Sequence, residues 1–487
     1  MISVFVDKHL QYPDNEFHFS PHEQYPEYGL VDISARPNPV YAAVRECFAQ
    51  AGLDREHLGR PEWNPLGAFI KPGCQVFILC NFVYHRRPLE SKRVFQAKCT
   101  HASVIRALVD YVLIAVGASG KVLLGNAPLQ SCRWGAVLEE TGADTVLEFY
   151  RGRHLPVQAR DLRLYVTERS WLGSTTHTET KPLRGNAVVI DLGLESLLAQ
   201  LYSPRRPEPR FRVADYDAEE TEGSHTASTH QYIVHQDVLQ SDAIICVPKL
   251  KTHQKVGVTC SLKGFVGIAG RKDCLAHHRF GNPAHGGDEY PNSGACWEAI
   301  SRFYDWVQRP RAQGLTKASL QVADRSLKRM LRLLGVIQAG AWFGNDTAWR
   351  MALDLARIAL YADKSGRMSD ARQRTVLSLV DGVVGGEGEG PLSPTAVRSG
   401  SLVFSDDVAL ADWSACRLMG YDPASIPLVR EAFRPMRYPV ANESIGDLNA
   451  VSNRPGDAAE LGPALGRPFR PPAGWLGRVE MRGTSQL

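Results

Sequence analysis

The stretch DAIICVPKLKTHQKVGVTCSLKGFVGIAGRKDCLAHHRFGNPAHGG, residues 242–287, combines a short apolar run with a dense group of basic residues and glycines. The run AIICVP, residues 243–248, has the length and the continuous apolar character of a strand buried in a parallel sheet. Lysines, histidines and glycines fill the residues that follow it. Ligands of open α/β sheets bind beyond the carboxyl ends of the strands. This segment is therefore the first candidate for a functional site.

Alternating strands and helices are predicted on both sides of this stretch. Apolar runs of strand length occur at VFILC (76–80), KVLLG (121–125), NAVVIDLG (186–193) and VLSLVDG (376–382). Segments predicted to contain helices are VYAAVRECFAQAG (40–52), VIRALVDYVLIAVGASG (104–120), YIVHQDVLQ (232–240), ACWEAISRFYDWVQ (295–308), residues 318–362 and VALADWSACRLMG (408–420). This order predicts an α/β fold, with a mostly parallel sheet, helices on both of its faces and an additional helical insertion.

Composition and pattern divide the chain into five parts. They are an irregular N-terminal arm at 1–38, an α/β core at 39–300 with insertions near 150–235, a helical segment at 301–370, a C-terminal α/β part at 371–450 that completes the core, and an extended tail at 451–487. The glycine-rich stretch at 381–391 is predicted to be a turn that follows a buried strand. The parts at 39–300 and 371–450 are expected to share one sheet.

Charge and cysteine content exclude several classes of protein. The 487 residues include 56 Lys and Arg against 52 Asp and Glu, a net charge of +4, which gives no electrostatic argument for binding nucleic acid or a membrane. The ten cysteines never occur with Cys-x-x-Cys spacing, so no iron–sulfur cluster is expected. The first residues carry charges and no apolar core segment, unlike a signal peptide, so the sequence predicts a cytoplasmic protein.

Three residues of the basic segment are the candidate catalytic groups: Lys263, His253 and Lys249. Glycines let backbone N–H groups approach a ligand closely, and neighbouring lysines supply positive charge, so the segment favours a pocket for a phosphate or a carboxylate. Lysine and histidine can transfer protons near neutral pH when their surroundings shift their pKa values. The alternative is a solvated basic loop, against which the interleaved apolar residues indicate at least partial burial.

The same segment offers candidate binding residues. Lys251, Gly267 and Gly270 are predicted to contact the anion, and His277 and His278 are candidate ligands of a divalent metal ion. The cofactor itself is left open by the sequence.

Further candidates follow other predicted strands. Asp381 and Glu387, in the glycine-rich stretch, are candidate ligands of a hard cation, and the alternative is a tight turn with solvated acids. Arg86 and Arg87 are suited to grip a carboxylate or phosphate, and the alternative is exposed basic residues after a strand. Asn126 is a turn former or a ligand contact.

Several blocks resemble one known family. The blocks are THASVIRALVDYVLIAVGASGKVLLGNAP (100–128), VPKLKTH (247–253), GVTCSLKGFVGIAG (257–270), DGVVGGEGEGPLSP (381–394) and LVFSDDVALADWSACRLMGYDP (402–423). They are similar to the domain of unknown function 362, whose usual form has Asn where this chain has Gly264, so no role for that amide carries over. The resemblance implies no settled activity. Relatives with a ferredoxin-like cluster module have cysteines that this chain lacks.

A second resemblance lies between His253 and His278. The nickel-pincer lactate racemases have a His, a cofactor-anchoring Lys ten residues later, a glycine-rich turn and a metal-ligating His. Here His253 and Lys263 have that spacing, GIAG (267–270) follows, and His277 or His278 comes next. The other catalytic positions of those racemases have no counterpart in this sequence.

The sequence predicts an enzyme that acts on a small polar or anionic metabolite. Lys and His acid–base chemistry, with or without a divalent metal ion, would suit an isomerase or a lyase. The rival hypothesis is a non-catalytic protein that binds or delivers a phosphorylated ligand or a metal. A small-molecule partner is expected in either case, and the oligomeric state is left open.

Overall fold

The computed structural model describes residues 1–14, 17–30, 32–169, 175–176, 187–204, 207–214, 216–292, 295–308, 315–445, 450–453 and 462–481. Its strands, in chain order, are β1 (Ile2–Val6), β2 (Gln75–Cys80), β3 (Lys121–Asn126), β4 (Val157–Asp161), β5 (Glu168–Arg169), β6 (Thr175–Thr176), β7 (Ala187–Asp191), β8 (Phe211–Arg212), β9 (Gln231–His235), β10 (Ala243–Val247), β11 (Lys249–His253), β12 (Gly257–Val258), β13 (His278–Arg279), β14 (Thr375–Glu389), β15 (Ser393–Val397), β16 (Ser401–Ser405) and β17 (Ala450–Ser452). Its α-helices are α1 (Pro39–Gln50), α2 (Lys92–Gln96), α3 (Ala102–Val116), α4 (Trp134–Thr141), α5 (Ala143–Gly152), α6 (Ala218–Ser224), α7 (Gln236–Gln240), α8 (Cys260–Gly264), α9 (Ala295–Gln308), α10 (Leu315–Leu333), α11 (Ala348–Tyr361), α12 (Val408–Leu418) and α13 (Pro427–Arg430).

One large mixed sheet organises these elements. Its strands lie in the order β17-β1-β16-β14-β10-β2-β3-β4, and β11, β12 and β15 extend it beside β14. The pairs β14–β10, β10–β2, β2–β3 and β3–β4 are parallel, whereas β1 and β14 pair with β16 in antiparallel fashion. The predicted α/β fold with a mostly parallel sheet is confirmed.

The side chains of the buried strands point alternately to the two faces of the sheet, so that a hydrophobic core lies on each face. In β2, Val76 and Ile78 contribute to one core and Phe77 and Leu79 to the other, because successive side chains of a strand point to opposite faces. Helices α1, α3 and α5 pack into the first core, and α8, α11 and α12 pack into the second. The central strands are therefore covered on both sides, as their continuous apolar runs predict.

The crossovers on the two sides of the sheet leave a crevice between β2 and β10. The chain passes from β2 through α3 to β3 on one face, and from β10 through α8 and α11 to β14 on the other. Adjacent strands whose connections leave in opposite directions form a topological switch point, where α/β sheets bind ligands at their carboxyl ends. Among the described residues, the helices are too short or too polar to cross a bilayer.

Three predicted elements differ in the structure. Residues 2–6 of the predicted irregular arm form β1, because their apolar side chains are buried beside β16. The segment YIVH (232–235) lies in the strand β9, paired with β7, and only the following residues form the short helix α7. Helix α11 belongs to the buried core, whereas the prediction places it in a helical segment outside the α/β parts.

The glycine-rich stretch after Asp381 is a strand, whereas the sequence predicts a turn. β14 continues to Glu389 because β11 and β15 pair with its second half. A Cβ atom at Gly386 would lie 2.9 Å from Pro394 Cβ and 3.0 Å from the Ala97 carbonyl oxygen. The glycines thus permit close packing between neighbouring segments and do not mark a break in the sheet.

Candidate functional site

A cavity of about 390 Å³ lies at the carboxyl ends of β2, β3 and β10. Its polar lining includes Asn81, Tyr84, Arg87, Asn126, Gln130, Thr167, Tyr216, His253, Lys255, Lys263, Lys272 and His277, and its apolar lining includes Val83, Leu129, Val213, Val266 and Leu392. Within the described part of the chain, no Asp or Glu lines this cavity. The described lining of the cavity therefore has basic groups and no carboxylate to neutralise them.

Helix α8 positions Lys263 in the cavity wall. The carboxylate of Asp412 accepts hydrogen bonds from the backbone N–H groups of Ser261 at 2.7 Å and Leu262 at 2.8 Å. These bonds satisfy donors at the start of the short helix, which would otherwise be unpaired. Burial raises the pKa of Asp412 to about 7. Lys263 is only 7% exposed. Because the residue is held inside the protein, the position of helix α8 determines where its side chain lies.

The amine of Lys263 lacks the counter-ion that a buried lysine usually has. Burial, followed by the charges of Lys272 and Lys255, lowers the pKa of Lys263 to about 7. Its Nζ atom makes no hydrogen bond to any residue that the structure describes. Desolvation disfavours the charged form of an unpaired lysine, so a substantial fraction of Lys263 is a neutral amine near pH 7.

The two histidines of the cavity have opposite tautomers. His253 Nδ1 accepts a hydrogen bond from the Lys255 backbone N–H at 3.1 Å, so the proton of the neutral ring is on Nε2. His277 Nδ1 lies 2.7 Å from the Leu275 carbonyl oxygen, which can only accept, so Nε2 of His277 is unprotonated. Burial and the Lys263 charge hold the pKa of both imidazoles well below the usual range. The cavity thus has one imidazole donor and one imidazole acceptor.

Amides from β2 and β3 border the cavity. Lys251 Nζ donates to Asn81 Oδ1 at 2.6 Å and to the Lys98 carbonyl oxygen at 2.5 Å, which leaves the NH₂ group of Asn81 available to a ligand. Asn126 Nδ2 donates to the Phe82 carbonyl oxygen at 3.3 Å. The Oδ1 atom of Asn126 and the hydroxyl of Thr167 are buried without a partner among the residues described. Such groups are costly to leave unpaired.

Lys251 lies beneath the cavity and does not line it. Burial lowers the pKa of Lys251 to about 7, and its two hydrogen bonds are directed to Asn81 and the Lys98 backbone. Lys251, predicted to contact an anion, therefore orients the amide of Asn81 and is not itself part of the cavity wall.

Lys249, a predicted catalytic residue, belongs to a separate buried cluster. Its Nζ atom donates to Asp381 Oδ2 at 2.9 Å and contacts the Tyr12 hydroxyl. Asp381 also accepts from Tyr12 Oη at 2.6 Å and from the His101 backbone N–H at 3.1 Å. The His101 ring stacks on Tyr12, with ring centroids 3.9 Å apart. Lys249 and Asp381 thus lie in a cluster of their own and do not line the cavity that contains Lys263.

The four predicted metal ligands do not converge. Asp381 is bonded to Lys249 and Tyr12, and Glu387 forms an ion pair with Arg467 at 3.0 Å. Among the described residues, the one group of His, Cys, Asp and Glu side chains with ligand spacing is Asp54, Glu56 and His57, which lies elsewhere in the chain. His277 lines the cavity, whereas His278 lies in the strand β13 beside β8. The residues predicted as metal ligands therefore lie at separate positions, and most of them have other partners.

The glycines and arginines that are predicted to contact a ligand do not all line the cavity. A Cβ atom at Gly267 would lie 3.1 Å from Asn126 Cβ, and one at Gly270 would lie 2.9 Å from Leu164 Cγ. Gly267 lines the cavity, and Gly270 permits close packing of its segment away from the cavity. Arg87 is an exposed residue of the lining, whereas exposed Arg86 is not part of it.

Residues 200–417 match the family model described as Domain of unknown function (DUF362). The chain carries a DUF362 domain. Searches of curated proteins and of solved structures find no match for the chain.

The DUF362 match covers only part of the cavity. His253, Lys263 and His277 lie within the matched residues, whereas Asn81 and Asn126 precede them. The cavity therefore requires both the DUF362 domain and the two strands, β2 and β3, that come before it in the chain.

Two lysines of the DUF362 domain complete the basic lining. Lys272 Nζ donates to the Val266 carbonyl oxygen at 2.9 Å, and Lys255 Nζ contacts the Ala339 carbonyl oxygen. Burial lowers the pKa of Lys272 to about 7. Both residues lie in the basic segment of the sequence, but spacing alone does not distinguish them from solvated lysines. Their places in the lining, with Lys272 buried and Lys255 half-buried, identify them as part of the cavity.

Proposed function

We propose that the chain is an enzyme that binds a small organic anion in this cavity and transfers a proton at the carbon next to the anionic group. Such chemistry is typical of isomerases and lyases. The observation that carries the proposal is the unpaired amine of Lys263 in a basic cavity whose described lining has no carboxylate.

An anionic ligand would complete the electrostatics of the site. A buried cation without a partner is unfavourable, and a carboxylate or phosphate would supply the missing charge and hydrogen-bond acceptors. Lys255 and Lys272 offer further positive charge in the same cavity, and Arg87 offers it at an exposed position of the lining. The NH₂ group of Asn81 adds a neutral donor.

The tautomers of the two histidines suit proton transfer. The unprotonated Nε2 atom of His277 can accept a proton from a carbon of the bound anion. The Nε2–H group of His253 can donate a hydrogen bond to the oxygen on which negative charge develops. Lys263 can hold the anionic group or, as a neutral amine, act as a second base.

Deuterium incorporation provides a test that does not require the substrate to be known. The full chain would be incubated in D₂O with a panel of short 2-hydroxy carboxylates and their phosphorylated counterparts, in which the carbon next to the anionic group carries a hydrogen. We expect NMR to detect exchange at the carbon next to the anionic group in at least one of them. His277→Gln should slow that exchange by about 100-fold or more, because general bases contribute on that scale.

Binding measurements separate the enzyme from the rival hypothesis. His9 is exposed, so His9→Gln is the matched control and should exchange at the wild-type rate. Calorimetry should detect binding of the same anion to wild type and to His277→Gln. Binding without exchange for every anion of the panel would favour a non-catalytic binding or delivery protein. Failure of wild type to bind any of them would contradict the anion site.

A further inference from the structure

Lys263 differs from the other lysines of the cavity in the freedom of its nitrogen. Lys272 donates to the Val266 carbonyl oxygen, and Lys255 contacts the Ala339 carbonyl oxygen. Lys263 has no such partner within the described ranges. The lone pair of a neutral Lys263 is therefore free to attack an electrophile, whereas its two neighbours are held by backbone acceptors.

The space beside Lys263 can accommodate a reacting group. Gly264, the next residue, has helical backbone angles of φ −57° and ψ −32°, which any residue can adopt. A Cβ atom there would have Pro248 Cβ, 4.0 Å away, as its nearest neighbour. Gly264 and Lys263 line the same cavity, so the glycine leaves open volume in the wall from which the amine extends.

The surroundings of Lys263 also favour the reactive form of the amine. Burial and the charges of Lys272 and Lys255 lower its pKa to about 7. A desolvated lysine beside other cations is a recognised way to generate a nucleophilic amine in enzymes that form Schiff bases. The same neighbouring cations would attract the carboxylate of a carbonyl compound.

We infer that Lys263 forms an imine with a small carbonyl compound that carries an adjacent carboxylate, that is, a 2-oxo acid. This inference rests on the proposed function, because it uses the same cavity and the same histidines, but it replaces proton transfer alone by covalent catalysis. The carboxylate would lie against Lys255 and Lys272, and the carbonyl carbon against Lys263 Nζ.

The atoms of this step balance without an additional reagent. The neutral nitrogen of Lys263 adds to the carbonyl carbon, and the carbonyl π electrons move to oxygen, where the His253 Nε2–H group stabilises them. His277 Nε2 accepts a proton from the nitrogen and delivers it to that oxygen. The nitrogen lone pair then expels the hydroxyl group, which leaves as water with the second nitrogen proton. The product is a C=N bond between Lys263 and the substrate.

Reductive trapping tests the inference on the full chain. Wild-type protein would be incubated at pH 7 with glyoxylate, pyruvate or 2-oxoglutarate together with sodium cyanoborohydride, and the adduct would be located by peptide mass spectrometry. We expect a stable secondary amine on Lys263 for at least one of these acids, and much less with acetaldehyde, which has no carboxylate. Lys263→Arg keeps the charge but cannot form the imine, so it should lose the adduct.

Controls distinguish failure of the imine from failure of the site. Lys364 is exposed, and Lys364→Arg should trap as wild type does. Calorimetry of wild type with the same acids, without reductant, reports anion binding separately. Binding without an adduct on Lys263, or adducts spread equally over exposed lysines, would overturn the imine and leave the proposed function intact. Failure to bind any carboxylate or phosphate would overturn both.

Discussion

Two buried lysines, Lys249 and Lys263, are close in the sequence but have different charged neighbours, and these neighbours indicate different roles. Lys249 faces Asp381, which offsets its charge, whereas Lys263 faces other cations. A buried cation with a carboxylate partner is part of the folded framework, and removal of one member leaves the other uncompensated. A buried cation without such a partner lowers stability, and it is retained where a ligand or a reaction requires it. The sequence presents both lysines in one basic segment and does not distinguish them.

Lys249→Met should affect folding and leave the cavity intact. The substitution leaves the Asp381 carboxylate buried at 0% exposure, with hydrogen bonds from Tyr12 and the His101 backbone but without its cation. We expect the free energy of unfolding in urea to fall by about 3–5 kcal/mol. Addition of Asp381→Asn should recover part of that loss, because the uncompensated charge is removed. A Lys249→Met protein of wild-type stability that had lost anion binding would contradict this assignment.

At the scale of elements, the sequence predicts the long, periodic segments well and the short ones poorly. The helices at Pro39 and Ala102 and the strands at Gln75 and Lys121 follow from periodicity and apolar runs. Helix α8 has five residues, and its start depends on Asp412, a residue far along the chain that no local pattern connects to it. Strand β14 continues through glycines only because β11 and β15 lie beside it. In both elements, contacts with residues that are distant in the sequence determine where the element begins or ends.

Gly264→Ala should stabilise helix α8 and weaken ligand binding. The residue has helical angles and open space at Cβ, so alanine should raise the free energy of unfolding by up to about 1 kcal/mol. The added methyl group enters the cavity beside Lys263, so we expect weaker anion binding in calorimetry and less trapping on Lys263. Thermal melts and trapping would be compared on the same preparations.

Gly267→Ala is the matched control for that substitution. Its Cβ atom would lie 3.1 Å from Asn126 Cβ and 3.4 Å from Leu79 Cδ1, so it should destabilise the fold by overpacking. The opposite changes in stability of the two alanine variants would distinguish open space from close packing. Unchanged binding in Gly264→Ala would show that the ligand does not use the volume next to Lys263.

At the scale of the whole molecule, segments that are distant in the sequence pack together, and one of them contacts a cavity residue. β1 lies between β16 and β17, so that the two ends of the chain meet in one sheet. In the C-terminal segment, Trp475 Nε1 donates to the carbonyl oxygen of Gln254, a cavity residue, at 2.6 Å. The sequence predicts an arm and an extended tail here, because no local pattern indicates a partner several hundred residues away. It does predict the basic segment and the strand ends, since the position of a site in a parallel sheet follows from chain direction.

The buried lysines of the cavity should make the stability of the whole protein rise with pH above neutrality. Burial lowers the pKa of Lys272 to about 7 in the folded protein, against an ordinary value of 10.5. Between these values the unfolded chain holds a proton that the folded chain has lost, so stability rises with pH.

Lys272→Met isolates this contribution from the other titrating groups. From pH 7.5 to 8.5, the unfolding free energy of wild type minus that of the variant should increase by about 1 kcal/mol. Lys364→Met, at an exposed lysine, should give no such change.

A saturating 2-oxo acid should reduce the slope of stability against pH, because a bound carboxylate raises the pKa of Lys272 and keeps it protonated in the folded state. Urea titrations at the two pH values, with and without the acid, measure all of these quantities. A slope that is the same in wild type and Lys272→Met would mean that Lys272 is charged and compensated in the folded protein, and Lys272 would then not contribute to the requirement of the cavity for an anion.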